Sequence, residues 1–340
     1  MISELAQVSV VAPIQPAIEH VKRLLFRPFD LGRWFTIGFC AWLAGLAQGG
    51  YAGFNTRFPF PGRAQSSNSS SGPGRFHTWD QIKDEVMRNL DWLLPLAIVL
   101  ICLAFVVGLL AVWLSSRGDF MFLHDVARDR AEVAVPWRKY AREARSLFLF
   151  RLALALIAAA PILLLLATVV FAVVQFVQQK DWELAGSQLA DMVVLGASLL
   201  ALIAFGVAFV IVVKLTRDFV VPIMFLRGGT CREGWRELLG VLAGRLHLLI
   251  VYLLFQIVLS LTAGILVIVL VIATCCIAGC LLIIPYIGTV ALLPVLVFQR
   301  AYSAYYLAQL GPRFDVFQTA LPAGGPAPAV ESQREARPLT

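Results

Sequence analysis

Charge is scarce in this chain. Of its 340 residues, 14% are charged and 59% hydrophobic, where a soluble domain carries about 25% and about 45–50%. An ordinary water-soluble domain is thereby excluded. The few charges fall in blocks between uncharged apolar runs. The net charge of +7 forms no single basic stripe with interleaved aromatics, so nucleic acid is not an expected partner.

Other scarcities exclude chemistry. No lysine completes a Gly-x-x-x-x-Gly-Lys-Ser/Thr phosphate loop, and no His-Glu-x-x-His zinc motif occurs. His20, His77, His124 and His247 lack metal-ligand spacing, so no cofactor, no metal and no enzymatic activity are expected. Cysteines number six, and most lie in or beside apolar runs, which implies no extracellular disulfide framework. Cys275, Cys276 and Cys280 cluster together. A metal or a bridge is open to them, but small apolar filler is the simpler reading.

Long apolar sequence is what the chain has in abundance. A spanning helix needs about 20 apolar residues to cross a hydrocarbon core about 30 Å thick. Uncharged runs of that length cover residues 34–56, 92–116, 152–179 and 192–213. A fifth run, 248–299, has 52 residues and divides into two spans with a turn near 274–280. The expected fold is therefore an all-α polytopic bundle of six spans. None of the six holds an Asp, Glu, Lys, Arg or His, and their strongest polar groups are Gln48, Gln175 and Gln256. Ionisable residues mark proton relays within membranes, so a proton-coupled pump is not expected.

Lysine and arginine set the orientation. Of the 28 in the chain, 22 fall before the first run, in the 2–3 and 4–5 connections and at the C-terminal end. Both termini are thus expected in the cytoplasm. The flexible Ser/Gly tract at residues 63–75 suits an outer loop. After it, Thr78-x-x-Gln81 reads as a capping box opening a short helix.

The stretch "HVKRLLFRPFDLGRWF", residues 20–35, precedes the first run. Ile18, Val21, Leu24 and Leu25 share one helical face, with Lys22, Arg23 and Arg27 away from it. Pro28 disfavours helix at Arg27, and Asp30 is a good N-cap for a helix beginning at Leu31. The pattern predicts an interfacial amphipathic helix, a corner at proline, and then a span. Two similar segments precede the third and fifth spans. Residues 136–150 place Trp137, Tyr140, Ala141 and Ala144 on one face, and residues 233–247 place Trp235, Leu238, Leu239 and Leu242 so. All three are expected at the cytoplasmic lipid interface, with Lys22, Arg23, Arg27, Trp34, Trp137 and Trp235 as the contacting residues and anionic lipids as partners.

The exits from the spans also match. Arg117 and Asp119 in "SRGDFMFLHD" parallel Arg217 and Asp218 in "LTRDFVVPIMFL", while Arg300 follows the last span with no acidic partner. Three units, about 16–116, 117–216 and 217–310, could be an internal triplication or merely three similar interfaces. Residues 1–15 and 318–340 read as tails, the second disordered. The dense acidic group Asp119, Asp125, Asp129 and Glu132, mixed with Arg117, Arg128 and Arg130, reads as a solvated charged helix. In span 1, Ala41, Gly45, Gly49 and Gly53 form a small-xxx-small ridge. Packing within the chain, a homo-oligomer contact and a merely flexible outer end are the three readings open to it.

"RLLFRPFDLGRWF", "DFVVPIMFLRGGTCREGWREL" and "YLAQLGPRFDVF" together resemble an uncharacterised family of bacterial polytopic membrane proteins, over residues 17–317. The resemblance implies a six-span membrane domain and no particular activity. A looser likeness runs to the membrane region attached to some glycerophosphodiester phosphodiesterases. Their catalytic His-Arg-Gly signature is absent here, so no hydrolase activity carries over. The leading expectation is a non-enzymatic membrane protein organising lipid or a membrane partner protein through its amphipathic helices. The alternative is a carrier or channel for a small or lipidic substrate.

Overall fold

The computed structural model describes residues 8–48, 79–178, 187–274, 279, 282 and 284–317. Among them the regular structure is entirely helical. In chain order the α-helices are α1 (Ile14–Phe26), α2 (Leu31–Gly45), α3 (Trp79–Arg128), α4 (Ala134–Lys139), α5 (Ala141–Gln178) and α6 (Ser187–Leu215). They continue with α7 (Val221–Arg227), α8 (Cys231–Leu242), α9 (Leu246–Ala273), α10 (Pro285–Ala291) and α11 (Leu293–Ala308).

Among the described residues, four segments are long and apolar enough to cross a membrane: Leu94–Arg128, Ala141–Val170, Gly196–Arg227 and Leu246–Ala273. They lie on α3, α5, α6–α7 and α9. Their apolar side chains face outward. Ile101, Leu164, Leu200 and Ile272 are each more than two-thirds exposed, which in water would be an aggregating surface and in lipid is a solvated one.

The buried residues gather at one end of these helices. The core draws on α1, α2, the last turns of α3, the start of α5, α7, α8 and α11. This body is where sequence and structure diverge most. Of residues 117–132, expected as a solvated charged helix, 117–127 continue α3 into its centre, while 128–132 stay at the surface. Asp119 is 1% exposed, Asp125 0%, and Phe120, Met121 and Leu123 are wholly buried. The short helix expected after Thr78 is likewise the start of the same helix, 50 residues long, or about 75 Å at 1.5 Å per residue.

Glycine permits the closest approach in the body. A Cβ on Gly118 of α3 would stand 2.4 Å from the Ala44 backbone nitrogen and 2.6 Å from the Leu43 carbonyl carbon of α2. Ser115 Oγ donates to the Ala44 carbonyl at 2.7 Å beside that contact. Gly45 is buried in α2, whereas Gly49 and Gly53 lie outside the described residues, as do Cys275, Cys276 and Cys280 and the tract at 63–75. Gln48 and Gln175 lie on helices whose side chains there are not described.

The segments before the spans differ from one another. The first is a separate helix, α1, and Asp30 caps α2 as expected, accepting from the Gly32 N–H at 2.8 Å. Its buried face is Ala17, His20, Val21, Leu24 and Leu25, packed along α11. Ile18, expected on that face, is exposed, so the buried stripe is rotated toward Ala17. The second breaks at Tyr140, leaving α4 six residues long and the rest fused into α5. The third is α8, opened by a complete capping box between Thr230 and Glu233. Leu238 and Leu242 are buried there, but Leu239 is exposed.

Between α6 and α7, Thr216–Val220 forms one π turn, with the Val221 N–H reaching back to the Thr216 carbonyl. Pro222 explains it. Proline has no N–H to offer the carbonyl four residues earlier, and its ring crowds that carbonyl, which belongs to Asp218. The wide turn re-phases the helix, so the outward-facing register of α6 gives way to the buried register of α7.

Candidate functional site

The three span exits converge. Arg117 and Asp119 leave α3, Arg217 and Asp218 lie in the π turn, and Arg300 lies on α11. Around them Arg151 on α5 and Lys214 at the end of α6 complete a cluster where the apolar helices enter the body. Arg151 pairs with Asp119 and hydrogen-bonds Ser115 Oγ at 3.3 Å and Ser116 Oγ at 3.4 Å. Arg217 Nε stands 3.6 Å from the other oxygen of Asp119. Lys214 Nζ meets Asp218 at 3.0 Å.

Behind these pairs stands a buried polar chain. Tyr252 on α9 donates its hydroxyl proton to Asp218 at 2.9 Å and accepts from Gln256 Nε2 at 2.9 Å. Gln256, expected as a strong polar group within a span, thus acts one helical turn from the body. Arg300, 3% exposed, donates Nη1 to the Arg217 carbonyl, while its Nε and Nη2 are buried without a hydrogen-bond partner among the described residues. Phe219 and Tyr306 close the aromatic wall, each ring centred 4.7 Å from Tyr252.

Basic groups crowd this place. Arg151, Lys214, Arg217 and Arg300 gather around Asp119 and Asp218. A buried charge is costly unless paired, and the carboxylates hold these cations together. Beside them opens a cavity of about 480 Å³, lined by Arg151, Lys214 and Arg217 on its polar side and by residues such as Leu154, Phe209 and Val213 on its apolar side.

The residues singled out from sequence occupy other places. Arg117 lies between two indoles, 4.9 Å from the Trp113 ring centre and 4.6 Å from that of Trp137, and donates to the Trp137 carbonyl. Trp137 is therefore half-buried against its own chain. Trp34 donates its indole N–H to the Leu25 carbonyl at 2.8 Å and packs edge-on to Phe26 and Phe29, which ties the α1–α2 corner. Trp235 leans on Phe150. Lys22, Arg23 and Arg27 are exposed and line a second groove with His20, Glu19 and Tyr305. Arg23 is engaged there by Asp129 at 3.0 Å and by His20 Nδ1 at 3.1 Å.

Asp129 ends α3 with a left-handed φ of 52°, a conformation aspartate tolerates better than most side chains. His20 is buried against it. Its Nε2 lies 2.8 Å from the Val126 carbonyl, and desolvation pushes its pKa below the usual histidine range, against the opposing pull of Asp129. The neutral ring donates from Nε2 and accepts the Arg23 N–H at Nδ1. Among the described residues no group of histidine, cysteine and acidic side chains could hold a metal ion.

Sequence reasoning shows the exits only as parallels and uses Arg151 and Lys214 only as topological charges. A usable signal is nonetheless present. Each is the first charge at the body end of its apolar run, so all stand at one depth. No curated protein and no solved structure matches the chain. A family model matches residues 8–311, nearly the whole stretch in which the helices and the cluster lie. The chain belongs to that family, a family of unknown function (DUF7544).

Proposed function

We propose that this is a multi-pass protein of a bacterial inner membrane, both termini cytoplasmic, which organises anionic lipid around a cytoplasmic helical body without enzymatic activity. The carrying observation is the inversion of burial: outward-facing apolar helices that end together in a body ringed by basic groups. Chain direction supports six crossings. α3 and α6 run toward the body, whereas α5 and α9 run away from it. Six crossings require one further passage between α2 and α3 and another between α9 and α11. The 22 basic residues assigned to one side favour the cytoplasm for that side.

The outer surface of the body fits an interface. At the α1–α2 corner Phe26, Phe29, Leu31 and Phe35 are exposed beside Lys22 and Arg27. On α8, Leu239 is exposed beside Arg232 and Arg236. Aromatic and basic groups so mixed sit well at headgroup level. A carrier or channel is less well supported, because the basic cavity lies at the body end of the spans rather than at mid-depth.

The test is lipid preference in reconstituted bilayers. Spin-labelled phosphatidylglycerol and phosphatidylcholine are compared for the fraction immobilised at the protein surface, at low and high salt. Phosphatidylglycerol should be enriched, less so at high salt and less so when Lys22, Arg27, Arg232 and Arg236 all become Gln. No preference, or a preference indifferent to those four, would overturn the reading.

A further inference from the structure

We propose that the cavity among α3, α5 and α6 is a discrete site for one anionic phospholipid, its phosphate held by Arg151, Lys214 and Arg217. The inference deepens the lipid-organising reading, from which it takes only that the long helices stand in a membrane.

Depth comes first. Lys214 is the first charge after the uncharged run that begins at Met192, about 33 Å along the helix at 1.5 Å per residue. The hydrocarbon core is about 30 Å thick. The ammonium therefore stands at the border between acyl chains and headgroups, where lipid phosphates lie. Arg151 begins the apolar run of α5 at the same level. The cavity thus lies at the level of lipid phosphates.

Charge and rigidity come second. Asp119 engages Arg151 and Arg217 together, which orients two guanidinium groups with little rotamer freedom left to lose. Guanidinium groups suit phosphate because they present several donors in one plane. Lys214, its side chain one-third exposed, can turn to the ligand while Asp218 keeps the hydrogen bond of Tyr252. Arg300 does not line the cavity; it adds positive potential from behind Arg217. One phosphate diester would give this basic cluster a further negative partner.

Shape comes third. The walls beyond the cations are Leu154, Ala155, Phe209, Val210 and Val213, a surface for an acyl chain and none for a hydrated small anion. About 480 Å³ is in the range of small-molecule sites, enough for a headgroup and the upper part of one chain. Free inorganic phosphate shares the anionic chemistry but leaves those walls bare.

The test is native mass spectrometry of the full chain released from detergent, with defined lipid added at high salt to strip surface lipid. Phosphatidylglycerol, phosphatidylcholine and inorganic phosphate are the three probes. One phosphatidylglycerol should be retained, phosphatidylcholine not, and millimolar phosphate should not displace it. Lys214→Gln and Ala155→Trp, the second filling the cavity without touching a charge, should each weaken retention about tenfold. Lys22→Gln, in the other groove, should not. Equal retention of both lipids, displacement by phosphate, or retention unchanged in a folded Ala155→Trp variant would each overturn the proposal. Loss of surface enrichment with the single lipid kept would refute the broader reading and leave this site standing.

Discussion

Replacing Gly118 with alanine should damage the protein far more than the same change ten residues earlier. The added Cβ would meet Ala44 N at 2.4 Å, Leu43 C at 2.6 Å and Leu43 Cβ at 2.8 Å. Two of these are backbone atoms of α2 and cannot rotate away. Ordinary contact begins at 3.4 Å, so α2 and α3 would have to part by about 1 Å. Overpacking of this kind costs about 1–3 kcal/mol. The parting also lengthens the Ser115 bond to the Ala44 carbonyl, worth about 0.5–1.5 kcal/mol. At Gly108 nothing lies within 4 Å of an added Cβ, and alanine there improves helix propensity by about 1 kcal/mol. Thermal unfolding of the purified protein in one detergent compares the two. Gly118→Ala should unfold several degrees below wild type, and Gly108→Ala at or above it. Equal stability of the two variants would refute the close α2–α3 approach.

Asp119→Asn leaves Arg151 and Arg217 without their shared carboxylate and should destabilise by about 3–5 kcal/mol; unfolding in detergent at wild-type stability would contradict the pairing. Tyr252→Phe removes one hydroxyl from between Asp218 and Gln256 and should cost about 1–3 kcal/mol in the same assay, a loss that a phenyl ring of equal packing does not restore. Lowering the pH should loosen α1. His20 is held neutral in the folded chain, with its pKa below the 6.5 of an unperturbed ring. Unfolding therefore binds a proton as pH falls below 6.5, and the stability from this site is complete above that value and lost through the lower folded one. Amide protection factors in α1, corrected for the intrinsic pH dependence of exchange, should fall as pH drops below 6.5, and His20→Gln should abolish the change.

The apolar helices are legible in the sequence because their signal is local. A charge-free run of about 20 residues needs no knowledge of its neighbours, and α5 and α9 lie where the runs at 152–179 and 248–299 place them. Asp30 as a cap is equally local. Residues 117–132 mislead because charge density reports on solvation only when partners are absent. Here Arg151 and Arg217 come from other runs, and no period in the sequence brings them to Asp119. Trp137 reads as a lipid contact for the same reason: Arg117, twenty positions away, holds its ring. The buried stripe of α1 turns toward Ala17 because α11 decides which face is covered, and small residues score weakly as apolar. Gly118 carries no signal either, since its value lies in what α2 brings against it.

The central claim is the placement of the helical body on the cytoplasmic side of six crossings, and topology tests it most directly. Single cysteines at Ser69 and Ser332, in an otherwise cysteine-free chain, are exposed to a membrane-impermeant thiol reagent on cells whose outer barrier has been opened. Ser69→Cys should label on intact inner membranes, and Ser332→Cys only after lysis. Labelling of Ser332→Cys without lysis, with Ser69→Cys protected, would invert the orientation and contradict the account.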